Sequence, residues 1–397
     1  MPKLLQINAT ANWGSTGRIA EQIGLAAMAR GWESYIAYGR NHNSSESNLI
    51  RIGSSIEVGL HVIKARLFDA AGLGSSRATK RLIRQIERIR PDVVQLHNIH
   101  GYYLNYKLLF EYLNGTDIKV VWTFHDCWAF TGHCAHFVKA GCEKWRQDCH
   151  NCPLRNEYPK SWISDRSEAN YMLRKELFGQ SHNLSIVSVS EWIDGLVSDS
   201  FLRNKRRIII HNGVDINSFS PDYDNSRTSF KLLAVSNVWN EDKGLNDLFE
   251  LRRLLPAEIE FFIVGLSANQ LKRIPEGING IQRTQNLAEL IELYSSADVL
   301  VNPTYADTFP TVNLEALACG TPVITYKTGG SPEAIDEETG IVVAQGDIQG
   351  LAEAVLRLKE QPLSREACRA RAERLFDKDK CFEKYISLYE SLLADKN

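Results

Sequence analysis

The feature that most constrains this chain is a repeated rhythm of short apolar run, turn and helical stretch. Residues 3–8, 34–38, 92–96, 119–124, 185–189 and 207–210 read as strands, rich in β-branched or aromatic residues and bounded by turn formers. Residues 17–30 carry a helical period between the first two. The rhythm pauses at a polar stretch, 217–229, and then restarts. Strands are expected at 231–236, 260–264, 298–302 and 322–325, with helices from 244 and over 287–295, 312–318 and 350–358. Such alternation predicts parallel sheet built from βαβ units. A chain of 397 residues exceeds one ordinary core. Two domains are therefore expected, 1–210 and 211–375, followed by a helix within 376–397 that can cross back to the first. In such sheets ligands bind beyond the carboxyl ends of the strands.

Composition removes several function classes. Forty-six Lys and Arg against 48 Asp and Glu give a net charge of −2, which argues against holding nucleic acid by bulk charge. No run approaches 18 uninterrupted apolar residues, and the short apolar start reads as a first strand rather than a secretory signal. A cytoplasmic protein is expected, with its eight cysteines reduced or metal-bound.

The most informative segment runs from Asn302 to Ile324. A strand ends at Asn302, a loop carries Asp307, Thr308 and Phe309, and a helix opens near Pro310, a residue well suited to a first helical turn. The amides of Thr311 and Val312 then lack intrahelical partners and, with the helix dipole, suit a phosphate. Glu315 follows about one turn on, where a carboxylate can accept from a vicinal diol.

This segment resembles the signature of glycosyltransferase family 4, two acidic residues separated by seven, in the two-domain GT-B fold. His211–Asp215 with Phe219 and Pro221, Lys243-Gly244, Gly329–Glu333 and the strand 340–343 agree with the same family. The resemblance implies an α/β GT-B architecture, two Rossmann-like parallel-sheet domains facing a central cleft. It implies transfer of a sugar from a UDP- or GDP-sugar to a saccharide or lipid-linked acceptor, with retention of configuration and no catalytic metal. Glu315 would then bind ribose, Asp307 the transferred sugar, and Lys243 the diphosphate, with Asn237 nearby. Three positions depart from the pattern: Asp307 is shorter than the usual Glu, Pro310 replaces glycine, and Val238 replaces an arginine.

In the N-terminal half, the loop 8–18 supplies Gly14, Thr16 and Gly17, small residues that let backbone approach a donor at a helix N-terminus. His97, Asn98 and His100 end one strand on the acceptor side, and His125 ends another. The resemblance places His125 beside the transferred sugar. Five cysteines fall within 127–152, and Cys134, Cys142, Cys149 and Cys152 have spacing that fits a structural zinc site; reduced thiols or a disulfide are the alternatives. A basic helical run, 77–90, and an amphipathic neighbour, 58–67, could rest on an anionic membrane, or simply form a solvated face over the sheet. An epimerase or hydrolase on the same scaffold, or a silent nucleotide-sugar binder, are the rival functions.

Overall fold

The computed structural model describes residues 1–221 and 229–395, and these divide into two compact units. The first comprises Met1–His211 and Phe382–Asn397, the second Asn212–Cys381. Most of the polar stretch expected to mark the boundary, 222–228, lies outside the described residues.

The N-terminal unit holds seven parallel strands in the order β3-β2-β1-β4-β5-β6-β7. They are β1 (Lys3–Asn8), β2 (Glu33–Tyr38), β3 (Asn48–Arg51), β4 (Val93–Leu96), β5 (Lys119–Phe124), β6 (Leu184–Ser188) and β7 (Arg206–Ile209). Helices α1 (Gly14–Ala29), α2 (Ser55–Phe68), α3 (Ser76–Ile89), α4 (Tyr106–Leu113), α5 (Ser167–Gln180) and α6 (Glu191–Asp199) connect them. Central strands β1, β4, β5 and β6 are buried along nearly their whole length, as strands covered by helices on both faces must be.

The second unit repeats the plan with six parallel strands in the order β10-β9-β8-β11-β12-β13. These are β8 (Lys231–Val235), β9 (Glu260–Val264), β10 (Ile278–Ile281), β11 (Val299–Asn302), β12 (Val323–Tyr326) and β13 (Gly340–Val343). Its helices are α7 (Leu245–Leu254), α8 (Ala268–Leu271), α9 (Leu287–Ser296), α10 (Thr311–Ala318), α11 (Ile348–Glu360) and α12 (Arg365–Leu375). The last helix, α13 (Lys378–Ala394), begins in this unit and changes allegiance at Phe382. From there Phe382, Tyr385, Ile386, Tyr389 and Leu392 pack with Leu4, Ile19, Ile23 and Val93 of the first unit. Tyr389 also donates to Gln95 Oε1 at 3.0 Å, inside the core.

Strands β3 and β10 were not anticipated. Each is four residues long at a sheet edge and only partly buried, so neither carries an apolar run.

Candidate active site

In the C-terminal unit two loops at strand ends are locked together. Gly244 has φ +73°, and a Cβ there would lie 2.1 Å from the Pro303 carbonyl oxygen, so glycine is needed for the loops to touch. The Asp242 carbonyl accepts from the Tyr305 N–H at 2.8 Å and the Thr304 hydroxyl at 3.3 Å. Asn240 caps the short turn before Gly244 by accepting from the Lys243 N–H at 3.1 Å. Lys243 Nζ thereby stands 2.6 Å from Asp307 Oδ2. Asp307 is seated in turn on Gly329, whose φ is +55° and whose Cβ would fall 1.8 Å from the Asp307 carbonyl oxygen. The Lys243 and Asp307 side chains remain 31% and 22% exposed. A pair this wet contributes at most about 1 kcal/mol, so the lysine is readily shared with an arriving anion.

Helix α10 opens at Thr311 behind Pro310, and no side chain caps it. Its first-turn amides, Thr311 and Val312, are the donors such an end presents. The helix is aimed by a buried polar chain. Asn302 Nδ2 donates to Asn313 Oδ1 at 2.8 Å, and Asn313 Nδ2 to Ser331 Oγ at 3.0 Å. The Ser331 and Thr325 hydroxyls are 2.6 Å apart, and Thr325 donates to the Asn302 carbonyl at 2.9 Å. Glu315, half-buried one turn along α10, accepts at Oε2 from the buried Tyr294 hydroxyl at 2.8 Å. Burial, and then the Glu315 charge, push that phenol well above its usual pKa, so it stays a donor.

Three further residues expected near the donor differ in exposure. Thr308 and Phe309 are buried, with the Phe309 ring 5.7 Å from Phe376 and its carbonyl accepting from Asn212 Nδ2 at 3.2 Å. An aromatic ring gains more from core packing than from solvent, and this one anchors the loop. Asn237 is exposed on the loop after β8, beside Val238, which is 69% exposed.

The N-terminal unit gathers the other candidates. Helix α1 begins at Gly14, three residues earlier than its pattern suggested, and no side chain caps it. A Cβ on Gly17 would lie 2.7 Å from Thr10 Oγ1, so glycine keeps this turn tight. Asn8, unassigned by sequence reasoning, joins the loops: Nδ2 donates to Thr16 Oγ1 at 3.4 Å and Oδ1 accepts from the Asn98 N–H at 3.3 Å.

Two histidine systems stand beyond β4 and β5. Gln6 Nε2 donates to the Ala20 carbonyl at 2.6 Å, which turns its Oε1 toward His97 Nε2, 3.1 Å away. His97 must therefore carry its proton on Nε2. Its Nδ1 then accepts from His125 Nε2 at 3.1 Å. Burial, followed by the charge of His125, drives the His97 pKa well down. Burial lowers His125 to about 4 despite the opposing pull of Asp126. At neutral pH both rings are uncharged.

His100 is different. Its Nε2 lies 2.7 Å from Asp126 Oδ2, and its Nδ1 is 2.9 Å from the Tyr158 hydroxyl. Burial pushes the Asp126 carboxyl up, but His100, His136 and the Trp128 amide outweigh it and hold the pKa at about 2. Asp126 and Tyr158 both went unassigned. The former was visible beside His125, whereas Tyr158 lies 58 residues from His100 in a segment with no period.

The four-cysteine zinc site is not assembled. Among the described residues, no group of three or more His, Cys, Asp or Glu could hold a metal ion. Cys134 and Cys152 are instead hydrogen-bonded to each other, and Cys149 accepts from the Gly132 N–H at 3.2 Å. That contact with Cys134, opposed by burial and assisted by His133, lowers Cys152 to about 7. His133 is committed through Nδ1 to Asp69 Oδ1 at 2.6 Å, fully inside the protein. None of the eight cysteines is in a disulfide.

Known proteins share this architecture. The structure of sucrose-phosphate synthase from Thermosynechococcus elongatus superposes with a TM-score of 0.75 over all of both chains at 17% identity. Anabaena Alr3699/HepE, solved in complex with UDP-glucose, gives 0.64 over 98% of this chain and 99% of the other at 14% identity. The two sheets thus define a GT-B glycosyltransferase fold. A sequence pattern described as "Glycosyl transferases group 1" matches residues 229–361, and one described as "Glycosyltransferase Family 4" matches residues 16–218. The chain belongs to glycosyltransferase family 4, and it is a transferase enzyme. Escherichia coli K12 WcaC, named as a glycosyl transferase of colanic acid biosynthesis, is 24% identical over 98% of this chain and 100% of its own length.

Proposed function

We propose that this enzyme moves a sugar from a nucleoside-diphosphate sugar, UDP- or GDP-linked, to a saccharide or lipid-linked acceptor hydroxyl in bacterial polysaccharide assembly. The single observation that carries this reading is Lys243 Nζ at 2.6 Å from Asp307 Oδ2, on a loop that leads into the uncapped start of α10 with Glu315 one turn beyond. The Lys243 ammonium and the Thr311 and Val312 amides take the diphosphate, Glu315 takes the ribose diol, and Asp307 takes hydroxyls of the sugar. UDP and UDP-glucose in the titles of the HepE structures support a nucleotide donor. The name of WcaC supports polysaccharide assembly as the setting.

The reaction we infer retains configuration. The bond from the anomeric carbon to the phosphate oxygen breaks as the acceptor oxygen bonds to the same face, and the acceptor proton passes to the departing phosphate. The protein's share is stabilisation of the charge that gathers on that phosphate. His125, kept neutral by burial, orients the transferred sugar rather than supplying a proton. Val238, where the resemblance expects an arginine, leaves Lys243 with more of the diphosphate charge. A panel of UDP- and GDP-sugars screened by thermal shift tests the reading, because a bound donor raises apparent stability by mass action. At least one should raise the Tm of the wild type but not of Glu315→Ala. Stabilisation of both proteins alike would refute the assignment.

A further inference from the structure

Between β5 and α5, residues 125–166 form only short single turns. This segment nevertheless returns one aromatic residue, Tyr158, to the carboxyl ends of β4 and β5, where His100 and Asp126 stand. Asp126 is ionised at neutral pH, and a carboxylate only accepts, so His100 donates from Nε2 to Oδ2 at 2.7 Å. Asp126 Oδ1 accepts from the Trp128 N–H at 2.9 Å, so both oxygens are committed. The other imidazole nitrogen, Nδ1, meets the Tyr158 hydroxyl at 2.9 Å. The ring is also met edge-on, with centroids 5.6 Å from His100 and 6.0 Å from Tyr102 at interplanar angles of 61° and 78°. Tyr102 holds its place at φ +69°, a conformation an aromatic residue adopts only where its surroundings impose it.

The residue so firmly held is still 42% exposed. A buried tyrosine needs a partner for its hydroxyl, whereas an exposed one finds water and keeps its rotamer freedom. Fixing an exposed ring through a histidine and an ionised carboxylate is preorganisation for a ligand. A fixed tyrosine ring suits the C–H face of a pyranose, which is apolar while the sugar hydroxyls stay wet. The rim is cationic. The Arg40 N–H donates to the Ala9 carbonyl at 2.9 Å, and a Cβ on Gly101, the neighbour of Tyr102, would lie 3.5 Å from Ala9 Cβ. Arg66 Nη1 donates to the Lys160 carbonyl at 3.0 Å, with its guanidinium carbon 6.0 Å from the Tyr102 ring centroid. Both charges reach the Tyr102 and Tyr158 hydroxyls, opposing the rise in pKa that burial causes. Guanidinium groups at the edge of a sugar platform favour a carboxylate or phosphate on the sugar.

We propose that Tyr158 is the floor of an acceptor subsite for a negatively charged saccharide, with Arg40 and Arg66 at its rim and His100 and Asp126 as positioning residues. This rests on the reading of the chain as a transferase to a saccharide, and it concerns the N-terminal unit alone. Full-length protein without nucleotide is probed by saturation-transfer NMR with methyl glucoside, methyl glucuronide and glucose 6-phosphate, irradiating only aromatic protons. At least one of the two anionic sugars should receive at least about threefold more saturation on its ring protons than the neutral one, and which one identifies the anion. Tyr158→Phe should keep that transfer and Tyr158→Leu should lose it. Both variants lack the hydrogen bond to His100, so a merely structural tyrosine would make them alike. Arg40→Gln, a change on the exposed rim, should bring the anionic sugar down toward the neutral one. The proposal is overturned if no sugar receives saturation, if all three receive it equally, if the two Tyr158 variants behave alike, or if Arg40→Gln changes nothing. With nucleotide absent, these outcomes are independent of the diphosphate site, whose own failure would show only in titrations with UDP and GDP.

Discussion

The two units hold their polar groups in opposite ways. The N-terminal unit buries histidines and keeps them neutral: His61 and His125 are lowered to about 4 and His97 is well below its usual value, each chiefly by burial. The C-terminal unit keeps a full ion pair, Lys243 with Asp307, partly in water. One therefore offers a fixed pattern of hydrogen-bond acceptors and donors, the other a mobile charge. We propose that the first kind of surface reads sugar hydroxyls and the second a diphosphate.

That contrast makes acid the sharpest probe. A histidine whose folded pKa lies below its unfolded value binds fewer protons when folded, so its contribution is complete above about 6.5 and is lost as pH falls toward about 4. His61 alone accounts for about 2–3 kcal/mol between pH 7.5 and 4.5. Asp126, held at about 2, withdraws further stability in the same direction below its usual 3.8. Urea melts across this range should show the N-terminal unit failing first; a flat profile would break the comparison.

Next in size is the charge itself. Lys243→Ala should lower kcat at least about tenfold, equivalent to ~1.4 kcal/mol of barrier, in steady-state assays with a donor found by the thermal-shift screen. Its stability should change by less than about 1 kcal/mol, since the pair it breaks is exposed. Unchanged turnover would remove the lysine from the reaction. Tyr294→Phe is gentler: the loss of one hydrogen bond beneath Glu315, about 1 kcal/mol, should raise the donor KM severalfold with kcat nearly constant. A fall in kcat alone would mean that Glu315 acts on the transition state rather than on ribose. The smallest effect concerns the thiols. Alkylation of Cys152 should follow a midpoint near pH 7, well ahead of Cys149 at about 11, with activity unaffected. Equal rates for the two would contradict the Cys134–Cys152 contact.

What could be read in advance follows the same physics. Strands β1, β5 and β9 match their expected limits because each is an apolar-rich run bounded by polar or turn-forming residues. The proposed donor side could be suggested from sequence because Asp307, the start of α10 and Glu315 lie in one stretch of chain. Residues that act through space left no linear mark. Tyr294 meets Glu315 across 21 positions and Gln6 meets His97 across 91, although a glutamine inside the apolar run of β1 was itself a signal. The cysteines show the converse failure. Spacing suggested a tetrad, yet among the described residues no three ligands are arranged to hold a metal, and the closest contact is between Cys134 and Cys152.

The central claim is that Lys243, Asp307, Glu315 and the first turn of α10 grip a nucleoside diphosphate. Calorimetric titration of the full chain with UDP and with GDP tests it most directly. One of the two should bind the wild type and bind Glu315→Ala at least about tenfold more weakly, the loss expected when a charge-assisted contact to ribose is removed. Binding of neither diphosphate, or equal binding to both proteins, would contradict the account.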